Sequence, residues 1–142
     1  MLGLRRTVKR VIVRRRRSRR PTAWSTAQKK HYDEHKEAAR VLVHLKLEYW
    51  NQFYRYKYNR VAIRNTRSRW GSCSSKDNLN FNYRILFLPP KLQDYLIVHE
   101  LCHLKEMNHA PPFWALVAQQ IPNYQTQMRQ LRALEPELMQ MK

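Results

Sequence analysis

The segment Leu96–His103 reads LIVHELCH, so two histidines and a glutamate, His99, Glu100 and His103, lie inside an apolar run. Residues four apart on a helix are about 40° apart around the axis and about 6 Å apart along it, so both histidines can reach one metal ion from the same face. Glu100 is displaced around the helix, which suits a general base acting on water at the metal better than a ligand. Catalytic zinc usually has three protein ligands, and His109 is the nearest candidate for the third.

The residues around this pattern favour a helix. Pro89 and Pro90 are typical of a helix start, and Leu92 and Tyr95 share the stripe on which His99 lies. Asn108 tolerates a left-handed backbone, so we predict that the helix stops just before His109 and that the chain turns there to bring this histidine to the metal.

Two stretches around the motif resemble the YgjP-like metallopeptidase family, which is related to the SprT-like and WLM zinc proteases. They read RWGSCSSKDNLNFNYRILFL at 69–88 and LPPKLQDYLIVHELCHLKEMNHAPPFWALV at 88–117. The resemblance covers roughly residues 60–130, and it implies that His99, His103 and His109 hold one zinc ion and that Glu100 is the catalytic residue. The expected activity is hydrolysis of peptide bonds by metal-activated water, with Glu100 as general base.

Two alternatives to this assignment concern other possible ligands. Glu135 and Glu137 are candidates for the third ligand, because one branch of the zincins uses a downstream glutamate, but they flank Pro136 near the end of the sequence. The segment His31–His35 fits H-x-x-E-H, an inverted metal motif. Its neighbours are charged, so a solvated helix start is the better interpretation.

Composition limits the class of protein. A chain of 142 residues with 43% hydrophobic residues is long enough for one domain with its own core. Its two cysteines, Cys73 and Cys102, are too few for a disulfide scaffold and are expected to be buried thiols. With no run of about 20 apolar residues, we expect no membrane span and a cytoplasmic protein.

The first twenty residues hold ten of the 28 basic residues and no acid. We assign 1–24 to an arginine-rich arm or strand, the resemblance favouring a short strand, and 25–142 to the metallopeptidase domain. Such charge density binds nucleic acid through counterion release with little sequence preference, whereas a general solubility feature is the alternative. The candidate nucleic-acid contacts are Arg14, Arg15, Arg16, Arg17, Arg19 and Arg20.

The remaining patterns predict an α+β fold with a compact zincin-like domain. A small antiparallel-rich sheet is expected to pack against a long N-terminal helix and the H-E-x-x-H helix, with further helices at the C-terminal end. The predicted elements are a helix at 25–58, strands at 61–64 and 79–87 separated by a turn at 72–78, and two helices after Pro111-Pro112 and at 124–134. In the first helix the apolar positions that predict the packing face are Ala38, Val41, Leu42, Leu45, Trp50 and Phe53.

Substrate contacts are predicted from the second strand. If it borders the active-site cleft, its edge could pair with an extended peptide, and Asn82, Tyr83 and Arg84 would lie near the substrate. Candidates to stabilise the oxyanion are Tyr83, Arg84 and Tyr124. The expected partner is a protein or peptide; the function classes kept open are a hydrolase of another amide or ester, and a basic nucleic-acid-binding protein with a structural zinc site.

Overall fold

The computed structural model describes residues 23–141. The predicted boundary after residue 24 and the arginine-rich segment therefore lie almost wholly outside the described residues and stay predictions. The elements, in chain order, are helix α1 Thr26–Tyr54, strands β1 Arg60–Arg64, β2 Gly71–Cys73 and β3 Asn78–Asn82, a 3-10 helix Tyr83–Phe87, and helices α2 Pro90–His103, α3 Pro111–Gln120 and α4 Tyr124–Leu138.

Helix α1 is delimited by side-chain caps at both ends. Ser25 and Gln28 form a reciprocal capping box at the start, with the Ser25 hydroxyl accepting from the Gln28 N–H at 3.2 Å. At the other end Arg55 adopts a left-handed backbone with φ 56°, and the Asn51 side chain bonds both backbone groups of Tyr56. The helix therefore ends at Tyr54, four residues before the predicted end.

The sheet has three strands in the order β1-β3-β2. Strands β1 and β3 are parallel, with Val61 beside Leu79, whereas β2 and β3 are antiparallel, with Ser72 beside Asn80. The sheet is therefore mixed, and the prediction of an antiparallel-rich sheet is wrong. The predicted turn at 72–78 is also wrong in its first residues, because Ser72 and Cys73 belong to β2.

Strand β3 ends earlier than its alternating pattern predicts. The Asn82 side chain accepts a hydrogen bond from the Arg84 N–H at 3.0 Å, and this local bond starts the 3-10 helix. Residues 83–87 are therefore not strand. Since β3 also lies between β1 and β2, it has no free edge, and the edge nearest the H-E-x-x-H helix belongs to β2.

The core lies between α1, α2 and the sheet. Helix α1 contributes Ala39, Val43 and Leu47, all fully buried. The packing face predicted for α1 is wrong in large part, because Val41, Leu45 and Phe53 are about half exposed or more; Leu42 and Trp50 do pack against the core. Helix α2 is buried over most of its length, which fixes its orientation against both α1 and the sheet. In the described part of the chain, none of the helices has the length and apolar character to span a bilayer.

Candidate metal centre

Helix α2 and the loop after it bring three histidines together. The Nε2 atoms of His99 and His103 are 3.2 Å apart, and that of His109 lies 3.0 Å from His103 and 3.2 Å from His99. Three ligands about 2.0–2.1 Å from a tetrahedral zinc ion would have their nitrogens about 3.3 Å apart. The spacing of these three nitrogens therefore fits a single metal ion, and within residues 23–141 no other group of three His, Cys, Asp or Glu side chains converges in this way.

The outer nitrogens of the helix histidines are held by neighbouring groups. Nδ1 of His103 lies 3.0 Å from the backbone oxygen of Glu106, which can only accept, so the ring carries its proton on Nδ1 and leaves the Nε2 lone pair free. Nδ1 of His99 lies 3.2 Å from the Tyr95 hydroxyl, which can accept the matching proton. Hydrogen bonds of this kind orient metal-binding imidazoles and select the tautomer that binds.

The turn that returns His109 differs from the predicted one. Helix α2 ends at His103, and Asn108 is not among the described residues with positive φ, which are Arg55 and Asp77. Instead the Trp114 indole N–H donates to the His109 carbonyl at 3.2 Å, and the two rings stack with centroids 5.6 Å apart. The Phe113 ring stacks on His103 at 4.3 Å. The beginning of α3 thus forms the aromatic wall that positions two of the three imidazoles.

Burial keeps the imidazoles of His99 and His103 neutral. It lowers the pKa of His99 to about 3, with His103 and His109 adding to the effect, and it also lowers the pKa of His103. Neutral imidazole is the form that binds metal, so these two histidines are in the competent state at neutral pH. The donor set, its spacing and its protonation all fit a divalent metal ion.

Glu100 lies beside this centre and is 4% exposed. Its Oε2 is buried without a hydrogen-bond partner in the described structure, and burial raises the pKa of the carboxyl group to about 8. The positive charge of a bound metal ion would favour the ionised form. The carboxyl group packs against β2 at Gly71, where an added Cβ would lie 2.9 Å from Oε1 and 3.0 Å from Cγ of Glu100.

A cleft of about 340 Å³ opens over the histidines and Glu100, bordered on the sheet side by Gly71, Ser72 and Cys73. Burial raises the pKa of the Cys73 thiol to about 11, and this side chain is half-buried at the wall of the cleft. Cys102 is fully buried, as expected for a core thiol. A larger hollow, of about 740 Å³, lies between the beginning of α1 and the end of α4 and shares no lining residue with this cleft.

The structure does not bring the other predicted site residues to the histidines. Tyr83 and Arg84 are fully buried, and Asn82 is 1% exposed, its amide donating to the backbone oxygens of Thr66 and Arg69. Because Asn82, Tyr83 and Arg84 are buried, their positions do not support the predicted contact with substrate. Of the three oxyanion candidates, Tyr124 alone lies near the centre, stacked on Trp114 with centroids 4.9 Å apart.

The alternative ligands also lie elsewhere. His31 donates to or accepts from the Tyr83 hydroxyl at 2.8 Å, and His35 bonds the His31 carbonyl at 2.7 Å, so this pair is part of the contact between α1 and the 3-10 helix. Glu135 and Glu137 do not join the histidine group. The predicted arginine contacts to nucleic acid, residues 14–17, 19 and 20, fall outside the described residues.

Two residues of the site were not predicted, Tyr95 as the partner of His99 and Gly71 as the residue that makes room for Glu100. Tyr95 had a usable signal, because it lies four residues before His99 on the same helix. Gly71 is one of only two glycines in the chain, but its contact with α2 follows from tertiary packing.

Comparisons with known proteins agree with this fold. The structure is similar to the crystal structure of the metallopeptidase zymogen of Pyrococcus abyssi abylysin, with TM-score 0.58 and 24% identity over 66% of this chain and 95% of that chain. It is also similar to the metallopeptidase zymogen of Methanocaldococcus jannaschii jannalysin, with TM-score 0.50 and 19% identity over 70% of this chain and 96% of that one. No curated protein matches the sequence.

The sequence itself matches a family model. The model for the YgjP-like metallopeptidase domain covers residues 5–134, which is most of the chain. The wider relation to SprT-like proteases stays a prediction. The chain therefore belongs to the YgjP-like metallopeptidase family and is a hydrolytic metalloprotease.

Proposed function

We propose that this chain is a zincin-like peptidase in which His99, His103 and His109 hold one zinc ion and Glu100 is the general base. The observation that carries the proposal is the convergence of three imidazole nitrogens next to a buried carboxyl group whose Oε2 has no hydrogen-bond partner within residues 23–141. Three nitrogen ligands leave a position open, as catalytic zinc requires, whereas structural zinc is usually enclosed by four protein ligands. A structural site would also have no use for Glu100.

In this mechanism each residue around the centre has a separate role. Zinc, when bound, supplies a Lewis acid that lowers the pKa of water and polarises the scissile carbonyl. Glu100 takes the proton of the attacking water on its carboxylate and returns it to the leaving amine. Tyr95 and the Glu106 carbonyl keep His99 and His103 in the binding tautomer, and the rings of Phe113 and Trp114 stack on His103 and His109 and hold their orientation.

We assign the substrate to the edge of β2. This strand pairs only with β3 among the described strands, and Gly71, Ser72 and Cys73 border the cleft that contains the histidines and Glu100. An extended peptide that pairs with this edge by main-chain hydrogen bonds would pass over Glu100. We thus propose that the peptide pairs with the edge of β2, and not with the edge of the second strand that the sequence predicts.

Replacing Glu100 tests the proposal. Glu100→Gln is expected to lower turnover of an unfolded protein substrate by about 10²–10⁴-fold, the usual contribution of a general base, while one zinc ion per chain is retained. Glu48→Gln, an exposed position on α1, is the control and should leave both turnover and metal content unchanged.

Two results would contradict the proposal. One is full peptidase activity in Glu100→Gln, and the other is a zinc-loaded wild type that cleaves small esters or amides but no peptide. Nucleic-acid-associated substrates stay a separate prediction, because the arginines on which it rests fall outside the described residues.

A further inference from the structure

A second hollow adjoins the candidate metal centre on the far side of Glu100. It has a volume of about 200 Å³, enough for one side chain of a substrate. His99 and Glu100 line both this hollow and the cleft over the histidines, so the two spaces lie on either side of the residue proposed to act as base. Its apolar walls include Leu96 and Leu131, which are 4% and 7% exposed.

Arg69 stands at the junction of these spaces. It lines the small hollow, the cleft over the histidines and a third hollow of about 280 Å³ that continues along β2 and β3 past Arg64. Its backbone is fixed, because the Arg69 carbonyl accepts from the Thr66 hydroxyl at 2.6 Å and from the Asn82 amide at 3.0 Å. The side chain of Arg69 therefore starts from a defined position beside the centre.

The guanidinium of Arg69 has no hydrogen-bond or ion-pair partner among residues 23–141, where the ion pairs join other side chains. The three spaces that Arg69 lines contain one acid, Glu100, and residues 1–22 contain no acid that could pair with it. A surplus of surface arginines is common in a chain with net charge +18, but Arg69 differs by its fixed backbone and its place beside the centre.

Trp70 also has a side-chain N–H donor beside the small hollow. Trp70 is 7% exposed, lines the hollow, and has an indole N–H that is buried without an acceptor in the described part of the chain. Because this N–H is not accessible from the hollow, the charged donor that lines the hollow is Arg69. An arginine above apolar walls matches a group with a hydrocarbon body and a charged oxygen end.

We propose that this hollow is a subsite for a carboxylate of the substrate, bound by Arg69 within a few residues of the scissile bond. The carboxylate comes either from an Asp or Glu side chain or from the C-terminal residue of a peptide. Guanidinium and carboxylate form paired, charge-assisted hydrogen bonds that a neutral side chain does not replace. The inference rests on the proposed function, because it deepens the substrate class of the same site.

Matched fluorogenic peptides test the subsite. Each peptide carries Glu, Gln or Lys at one position near the scissile bond, and each is made with a free C-terminal carboxylate and with an amide. Wild type is expected to cleave the best Glu peptide about tenfold faster in kcat/KM than its Gln counterpart, with the Lys peptide slower still. A preference that follows the free C-terminus instead of the side chain would identify the terminal carboxylate as the group bound.

Variants of Arg69 assign the preference to this residue. Arg69→Gln should remove it, Arg69→Lys should keep part of it, and Arg69→Glu should invert it towards the Lys peptide. A residue that only supports the fold would change cleavage of all peptides alike. Arg60→Gln is the matched control, since Arg60 is exposed on β1 at the opposite edge of the sheet.

Binding to an inactive enzyme separates this inference from the proposed function. Fluorescence polarisation with zinc-loaded Glu100→Gln should give about tenfold tighter binding of the Glu peptide than of the Gln peptide, and Arg69→Gln in the same background should abolish the difference. Equal cleavage by wild type of Glu and Gln peptides, and of their free-acid and amide forms, overturns the subsite and leaves the peptidase proposal intact. If wild type cleaves no peptide, the proposed function fails, and equal binding of all these peptides would overturn the subsite as well.

Discussion

The three histidines of the centre are each positioned by a different neighbour. Tyr95 holds His99, the Glu106 carbonyl and the Phe113 ring hold His103, and Trp114 holds His109. These candidate ligands differ in burial as well, from the buried His103 to the exposed His109. His109 is the one that a short loop places, and its contacts with Trp114 hold it beside the other two histidines.

Gly71 is the residue outside the histidine motif on which Glu100 depends most directly. A methyl group there would lie 2.9 Å from Oε1 of Glu100 and 3.0 Å from the backbone oxygen of Asn80, so the carboxyl group must move. Gly71→Ala is therefore expected to lower kcat by roughly tenfold to a hundredfold, the usual effect of misplacing a catalytic group, with little change in KM or in zinc content.

The neighbouring residue supplies the control for this prediction. Ser72→Ala, also on the edge strand, adds no atom towards Glu100 and should retain kcat. Steady-state kinetics and metal analysis on the same samples check the result. A Gly71→Ala protein with normal kcat would show that the contact with Gly71 does not position the base.

At the scale of the elements, α1 and α2 are joined by a polar contact at the edge of the core. Lys46 donates to Asp94 at 2.6 Å, and the Trp50 indole N–H donates to the same oxygen at 3.1 Å; the side chains of Lys46 and Asp94 are 20% and 29% exposed. Asp94→Asn is expected to lower the free energy of unfolding by about 1 kcal/mol, because a charged acceptor shared by two donors is replaced by a neutral one.

Denaturation by urea, with and without 0.5 M salt, measures this change. The control is Asp33→Asn on α1, whose ion pair with Lys36 is far more exposed and should contribute nothing measurable. Equal losses of stability in the two variants would mean that the partly buried contact adds nothing beyond a surface ion pair.

Several elements could be predicted from local patterns, and the failures have physical causes. The α2 start at Pro89-Pro90 and the β1 strand were identified, because proline and short apolar runs act locally. The packing face of α1 could not be predicted in this way. Ala39, Val43 and Leu47 have the same four-residue spacing as Val41 and Leu45, and only tertiary contacts decide which of the two rows is buried. The end of β3 was missed because one side-chain bond of Asn82 outweighed an alternating pattern.

In the candidate site, too, some features follow from local sequence and others only from tertiary packing. His99, Glu100 and His103 lie within five residues, so helical geometry alone could group them. His109 lies beyond the end of α2, and its approach depends on a loop and on Trp114. The contacts of Glu100 with Gly71, and the place of Arg69 beside it, depend on how β2 packs against α2, which no periodicity encodes.

At the scale of the whole molecule, the metal is expected to stabilise a fold that already has its own core. Excess zinc should raise the melting temperature of the metal-free protein, since a ligand at a thousandfold its Kd adds about 4 kcal/mol to the native state. His109→Ala should remove most of this shift. Because His109 is exposed, the metal-free variant should have the same melting temperature as the metal-free wild type.

Differential scanning fluorimetry with a chelator and then with added zinc measures both parts of this prediction. A shift of equal size in His109→Ala would place the stabilising ion elsewhere on the chain. A large loss of stability in the metal-free variant would mean that His109 supports the fold itself.

The central claim is that three imidazoles share one zinc ion, and anomalous diffraction at the zinc absorption edge tests it most directly. Crystals of the zinc-loaded full chain are predicted to give one peak about 2.0–2.1 Å from the Nε2 atoms of His99, His103 and His109. A peak bound by other residues, or no peak between these three rings in zinc-loaded protein, would contradict the account.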